Sequence, residues 1–143
     1  LAAVELADHF LGEAQKKGNS EDVSLKESAE RAASWYQKAQ GYSGLLAVEK
    51  QLLLINQGNA EELVQNYSAS LASYEKAYQL KGNAKALALL GVGRSQEALE
   101  EKEKAAQSYE KVFMEFASTE YAKTAKMYWR RLKSPLLNAG VSS

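Results

Sequence analysis

The chain contains no cysteine, one histidine, one proline and no long apolar run. Without cysteine there is no disulfide framework and no thiolate metal site, so redox chemistry does not indicate a compartment. No stretch approaches the roughly 20 apolar residues that cross a bilayer. The formal net charge of zero argues against a general nucleic-acid binder. Because the single proline is Pro135, most of the 143 residues are free to be helical.

The residues that are abundant favour helices and are unevenly charged. Ala, Leu, Glu, Lys and Gln, all strong helix formers, fill the chain and predict an all-α fold. Residues 1–72 carry six Lys and Arg against ten Asp and Glu, and residues 73–143 carry twelve against eight. The chain begins with Leu1 instead of Met, so we expect it to be a processed or trimmed fragment, and any signal or anchor that preceded it is not visible in the sequence.

A short motif recurs at nearly constant spacing. Tyr36-Gln-Lys-Ala returns as Tyr74-Glu-Lys-Ala and again as Tyr109-Glu-Lys-Val, at offsets of 38 and 35 residues. A small residue stands four positions before each tyrosine. Repetition at this period indicates stacked helical hairpins, because one hairpin cannot bury its own apolar face. We therefore expect the three tyrosines to occupy equivalent buried places.

Helical periodicity and turn signals divide the chain into three hairpins and a capping helix. Gly58-Asn59 is interpreted as a helix stop, since both residues accept the left-handed conformation. The predicted helices are 2–17 with 24–40, 45–57 with 61–80, one around Leu87–Leu99 with 103–116, and a last helix over 119–133. The helical domain is predicted to be 1–134, followed by a tail over 135–143.

This pattern resembles the tetratricopeptide-repeat family, a helix–turn–helix unit of 34 residues. The copy at 86–119 matches the family at Leu89, Val92, Gly93, Ala105, Tyr109 and Val112. The copy at 51–84 matches at Leu54, Gly58, Ser70, Tyr74 and Ala77, and the first copy at Ala32, Tyr36 and Ala39. Gln96 and Glu61 stand where the family usually has Tyr, and Ala117 and Gly82 where it often has Pro, so the repeats are divergent. The resemblance implies an α-α superhelix that binds protein.

Residues 109–125 are similar to the closing repeat of bacterial cell-envelope tetratricopeptide proteins. Examples are the ancillary subunit of the protein translocon and outer-membrane-assembly lipoproteins. In such families the domain commonly follows one N-terminal anchor. This resemblance implies the bacterial periplasm or envelope, while a cytoplasmic location stays open.

The repeat register also predicts which residues line a concave groove. These first-helix positions are Leu52, Ile55, Asn56, Asn59, Leu87, Leu90, Arg94 and Glu97. Leu and Ile dominate them, so the Lys and Asn clamp of chaperone-binding relatives is absent. An apolar groove needs covering by a partner segment, by a second copy or by the tail beginning at Pro135.

A basic stripe on the last helix is a second candidate surface. Lys123, Lys126, Arg130 and Lys133 follow at i, i+3, i+7 and i+10, which places them on one face. Such a face is either the solvated exterior of a capping helix or a binding surface for an acidic partner or an anionic membrane.

Enzyme chemistry finds little support in the sequence. His9 is the single histidine, and the sequence has no nucleophile-elbow motif with which it could form a catalytic triad. Gly91-Val92-Gly93 lacks the preceding strand and the following Lys-Ser/Thr of a phosphate-binding loop. The acidic cluster around Glu100 is interleaved with lysines and is typical of a solvated turn. We expect a non-catalytic protein-binding scaffold without a cofactor or metal. The alternative is a structural homo-oligomerisation module.

Overall fold

The computed structural model describes residues 2–17 and 23–134, and within these ranges the chain is helical without strands. This confirms the predicted all-α class. Seven helices follow in order: α1 (Ala2–Lys17), α2 (Val23–Ala39), α3 (Ala47–Leu63), α4 (Tyr67–Gln79), α5 (Lys85–Ala98), α6 (Lys102–Glu115) and α7 (Glu120–Lys133). The predicted tail over 135–143 lies outside the described residues.

The predicted helix stop at Gly58-Asn59 is wrong. Helix α3 continues through this pair to Leu63, and the chain turns at Gln65, whose φ is 60°. The side-chain oxygen of Asn66 then caps α4. Gly58 sits inside the helix because the Tyr74 ring packs on it: an added Cβ would lie 2.7 Å from Cε1 of that ring. Glycine is therefore required here by the close packing of the Tyr74 ring and not by a turn.

Each helix packs on the next one along the chain. The odd-numbered helices also contact one another in sequence, α1 with α3, α3 with α5, and α5 with α7. Among the described residues the even-numbered helices make no such contacts with each other. The odd-numbered helices therefore lie closer together than the even-numbered ones.

The repeated tyrosines form the centre of the core. Tyr36, Tyr74 and Tyr109 are all fully or almost fully buried, which confirms the burial expected from their spacing. Burying a large side chain of this kind contributes roughly 1.5–3 kcal/mol. Small residues that stand four positions earlier, such as Ala32 and Ala105, are buried too, so the helices approach closely.

One buried polar side chain holds the turn between α4 and α5. The Gln51 amide nitrogen donates to the carbonyl oxygens of Ala77 (3.0 Å) and Leu80 (3.2 Å). Its amide oxygen accepts from the backbone N–H of Ala84 at 3.0 Å. Gln51 of α3 thus satisfies backbone groups at the end of one helix and the start of the next.

Candidate functional site

The three buried tyrosines direct their hydroxyls at acidic groups on odd-numbered helices. Each ring is surrounded by apolar side chains while its hydroxyl reaches the surface of the neighbouring helix. The hydrogen bonds are Tyr36 to Asp8 (2.5 Å), Tyr74 to Glu62 (3.0 Å) and Tyr109 to Glu97 (2.8 Å). A row of fixed carboxylates therefore follows the odd-numbered helices.

In the two later copies an arginine completes the arrangement. Arg94 of α5 donates two hydrogen bonds to Glu62 of α3, from Nε to Oε2 at 3.1 Å and from Nη2 to Oε1 at 3.1 Å. The same Nη2 lies 3.3 Å from the Tyr74 hydroxyl. Arg131 of α7 pairs with Glu97 of α5 through Nη2 and one carboxylate oxygen, while the other oxygen of Glu97 accepts from the Tyr109 hydroxyl. Bidentate arginine–carboxylate pairs fix both partners in orientation.

Burial and hydrogen bonding set the protonation states of this network. Burial raises the pKa of Tyr74, and the charge of Glu62 raises it further, while the charge of Arg94 lowers it. Although burial alone would lower the pKa of Arg94, its bonds to Glu62 raise it overall. Burial and the bond to Glu97 likewise raise the pKa of Tyr109. At neutral pH the tyrosines are therefore donors, and Arg94 keeps its charge.

The structure divides the predicted groove residues into two groups. Ile55 and Leu90 are only 2% and 4% exposed and belong to the core, so the expectation that they lie open to a partner does not hold. Leu87 is partly buried against the same core. Single-helix periodicity missed this because the contacts between odd-numbered helices cover a second face of each helix.

What stays accessible is Leu52 and a polar rim. Leu52 is 46% exposed on α3. Asn56, Asn59, Arg94 and Glu97 are all partly exposed. Asn59 and Glu62 share the single proton of the Tyr74 hydroxyl, whose oxygen lies 2.6 Å from Oδ1 of Asn59 and 3.0 Å from Oε1 of Glu62. The accessible surface is therefore more polar than the sequence suggested.

Two members of the polar network were missed in the sequence, namely Glu62 and Arg131. A signal for Glu62 was present, because Glu62 precedes Tyr74 by 12 residues, as Glu97 precedes Tyr109. Aligning 58–63 with 93–98 on their glycines reveals this match. Arg131 carries no comparable signal, since its partner lies 34 residues away.

The basic stripe on α7 separates into three cations without an ion pair among the described residues and one paired cation. Lys123, Lys126 and Arg130 are exposed, and none makes an ion pair within the described part of the chain. Lys133 instead lies 3.3 Å from Glu103. A depression of about 400 Å³ runs along the three cations and includes Met127.

The acidic cluster between α5 and α6 is neutralised by neighbouring cations. Glu101 pairs with Lys104 at 3.0 Å, and Glu100 lies 3.8 Å from Lys102. Within residues 2–17 and 23–134 no group of three or more His, Cys, Asp or Glu side chains is arranged to hold a metal ion. His9 is exposed, and its ring lies edge-on to Phe10.

Two further clefts lie between helices. One of about 580 Å³ is lined by α2 and the end of α3, including Lys26, Gln37 and Glu61. Another of about 460 Å³ has Leu89 and Val92 of α5 at its base. No helix in the part of the chain that the structure describes is long and apolar enough to cross a membrane. Comparison with protein-family models, curated proteins and solved structures yields no match for this chain.

Proposed function

We propose that the chain is a non-catalytic protein-binding scaffold, built as a tetratricopeptide-like superhelix of three divergent hairpins and the capping helix α7. The odd-numbered helices contact one another, whereas the even-numbered helices do not contact each other within the described residues. This difference supports a curved, superhelical stack. A stack whose odd layer is the tighter one curves around that layer. The odd-numbered helices then line the concave face.

The observation that carries the function is the fixed polar row on this face. Glu62 with Arg94, and Glu97 with Arg131, are held in place by buried tyrosine hydroxyls. A peptide that binds beside them meets donors and acceptors that need little further ordering, which lowers the entropic cost of binding. Leu52 supplies an exposed apolar contact on the same layer.

We therefore infer an extended peptide or protein segment as the ligand, with an apolar side chain near Leu52 and polar groups along the rim. The resemblance of residues 109–125 to envelope tetratricopeptide proteins supports a role in a bacterial envelope assembly. Fractionation of cells producing the native protein, followed by immunodetection, tests that location; recovery in the cytoplasm alone would refute it.

Peptide selection tests the binding face directly. Random peptides displayed on phage are selected against the purified chain, and the enriched sequences are measured by calorimetry against the parent and Leu52→Asp. We expect Leu52→Asp to weaken binding at least about tenfold, since it places a charge in the apolar contact. The matched control is Met114→Asp on α6, which changes another exposed apolar residue.

Equal peptide binding by the parent and by Leu52→Asp would refute the proposal that peptides bind at the face around Leu52. The homo-oligomerisation alternative is tested separately by light scattering across a concentration series. A concentration-dependent mass that falls to the monomer in Leu52→Asp would favour that alternative, because the exposed leucine would then contact a second copy.

A further inference from the structure

The outward face of α7 combines free positive charge with an exposed apolar side chain. Lys123, Lys126 and Arg130 make no ion pairs with described residues, and Met127 between them is 61% exposed. Across seven residues of helix these cations span roughly 10 Å. This surface is distinct from the polar row of the proposed groove.

The register of α7 follows from that of α5. Arg94 of α5 pairs with Glu62, and Arg131 of α7 pairs with Glu97, the equivalent glutamate of the next copy. Helix α7 therefore corresponds to α5 displaced by 37 residues.

Ring packing supports the same register. An added Cβ on Gly91 of α5 would lie 2.7 Å from the Tyr74 ring of the preceding helix. Tyr128, 37 residues after Gly91, packs on Tyr109 of α6 with ring centroids 5.4 Å apart. The two helices thus turn equivalent faces toward the helix before them.

On the opposite side, α5 receives the helix that follows it. Gly93 lies against the Tyr109 ring of α6, and the side-chain oxygen of Gln96 accepts from the Ser108 hydroxyl at 2.7 Å. Displacing these two positions by 37 residues gives Arg130 and Lys133 of the basic stripe. Lys123 and Lys126 precede Arg130 by seven and four residues and so lie on the same side of α7. The three exposed cations thus occupy the face on which a further helix would stack, while Lys133 reaches back to Glu103 of the preceding helix.

We propose that this face binds an acidic amphipathic helix of a partner protein. The partner helix would pack on α7 in the way that α6 packs on α5. Three cations at i, i+3 and i+7, which make no ion pair with any described residue, complement carboxylates at matching spacing on such a helix. Met127 gives the partner's apolar side a flexible, polarisable contact.

The probe is a fluorescein-labelled helical peptide of 18 residues, stabilised by a hydrocarbon bridge on its far side. Glutamates at i, i+3 and i+7 flank leucines on its binding side, and a control probe carries glutamine in place of each glutamate. Anisotropy titrations with the 143-residue chain should show the acidic probe binding at least about tenfold more tightly. Raising the salt from about 50 to about 300 mM should weaken that binding.

Charge reversal identifies the face. Lys123→Glu with Lys126→Glu should weaken binding of the acidic probe at least about tenfold. The control is Lys50→Glu with Lys81→Glu, which makes the same change in net charge at two other exposed lysines. We expect this control to weaken binding no more than about twofold at the higher salt, where distant charges are screened.

Since the chain has no cysteine, Met127→Cys introduces its single thiol. The acidic probe carries a cysteine on its leucine side, activated as a 2-pyridyl disulfide. We expect rapid thiol–disulfide exchange, in which the thiolate of the variant attacks the cysteine sulfur of the probe and pyridine-2-thione leaves. Equal binding of the two probes, equal loss in both double reversals, or no detectable binding would overturn the proposal. Stripe-dependent sedimentation with phosphatidylglycerol vesicles, without binding of the peptide, would replace the partner helix with an anionic membrane.

Discussion

The ring of Tyr109 lies against the backbone of Gly93, and a Cβ on that glycine would stand 2.7 Å from ring carbon Cδ1. Tyr74 makes the same approach to Gly58, where the distance to Cε1 would be 2.7 Å. In both copies a glycine 16 residues before the tyrosine leaves room for the ring. The tyrosine can bury itself only because the facing helix has no side chain there.

We therefore predict that Gly93→Ala lowers the free energy of unfolding by about 1–3 kcal/mol, the usual cost of overpacking a core. The added methyl must displace the Tyr109 ring or separate α5 from α6. Urea unfolding followed by circular dichroism measures the change.

The matched control is Gly12→Ala in α1, where an added Cβ meets nothing within 4 Å. This change should stabilise the protein by about 0.5–1 kcal/mol, because alanine is the better helix former. If both substitutions shift stability in the same direction, the close approach of Tyr109 to Gly93 does not govern this position.

A second prediction concerns the buried amide of Gln51. Gln51→Leu keeps the volume but removes the bonds to Ala77, Leu80 and Ala84. Buried backbone groups that lose their partners cost about 1–3 kcal/mol each, so we expect a loss of about 2–4 kcal/mol. Amide exchange at Ala84 should accelerate more than at positions in α6.

Gln107→Leu on α6 is the control for this substitution, because Gln107 is exposed. It should change stability by less than about 0.5 kcal/mol. A similar loss from both variants would mean that the bonds of Gln51 to the turn between α4 and α5 are not the source of its contribution to stability.

The fold could be predicted from the sequence wherever a pattern repeats locally. The bounds of α1 and the burial of Tyr36, Tyr74 and Tyr109 follow from helical periodicity and from the repeated motif. The end of α3 could not be predicted in this way. Gly58 reads locally as a helix stop, and only the tertiary contact with Tyr74 explains why the helix continues through it.

The candidate site was predicted in part, for a related reason. Asn59, Arg94 and Glu97 follow from the repeat register, and all three take part in hydrogen bonds on the odd-numbered helices. Ile55 fails as a groove residue because it is buried in the core cluster that also contains Tyr74 of α4 and Leu90 of α5. The pairing of Arg131 with Glu97 joins residues 34 apart, which local patterns do not encode.

A third prediction uses the half-buried carboxylate of Glu61. Burial raises its pKa, and the bond from Ser73 and the charge of Lys76 only partly oppose this shift. The equivalent residue in the next copy is Gln96, which accepts the same kind of bond from Ser108. We expect Glu61→Gln to stabilise the protein at neutral pH, because it removes the desolvated charge.

The raised pKa of Glu61 determines how the stability gained by Glu61→Gln changes with pH. A carboxyl with a raised folded-state pKa binds its proton more readily in the folded state, so the parent gains relative stability as the pH falls through that pKa. The advantage of Glu61→Gln should therefore shrink on acidification. Unfolding measured from about pH 7 down to about pH 4 checks this. An advantage that grows on acidification would contradict the assigned cause.

A fourth prediction compares the two arginine–glutamate pairs. The side chains of Arg94 and Glu62 are 29% and 28% exposed, and that of Arg131 is 50% exposed. Arg94→Gln leaves Glu62 partly buried without its cation, so we expect a loss of about 1–2 kcal/mol. Arg131→Gln should cost less than about 1 kcal/mol and depend more strongly on salt. Equal losses in thermal unfolding would contradict this ranking.

The last prediction concerns alkaline unfolding and the tyrosine hydroxyls. Burial raises the pKa of Tyr36, Tyr74 and Tyr109 above the ordinary value of 10.0, and each hydroxyl also donates to an acidic side chain. Because the folded state holds these protons more tightly, the stabilisation is complete below about pH 10 and is lost as the pH rises above it.

Phenolate absorbance and helical circular dichroism should therefore change together for these three rings. Tyr109→Phe tests the link, since it keeps the ring but removes both the ionisable group and the bond to Glu97. The variant should be less stable at neutral pH by about 1 kcal/mol, the net worth of a hydrogen bond. Its loss of stability between about pH 9 and about pH 11 should nevertheless be smaller than that of the parent. An equal loss would show that Tyr109 ionises to the same extent in the folded and unfolded chains, so that its pKa is not raised by folding and some other group drives the alkaline transition.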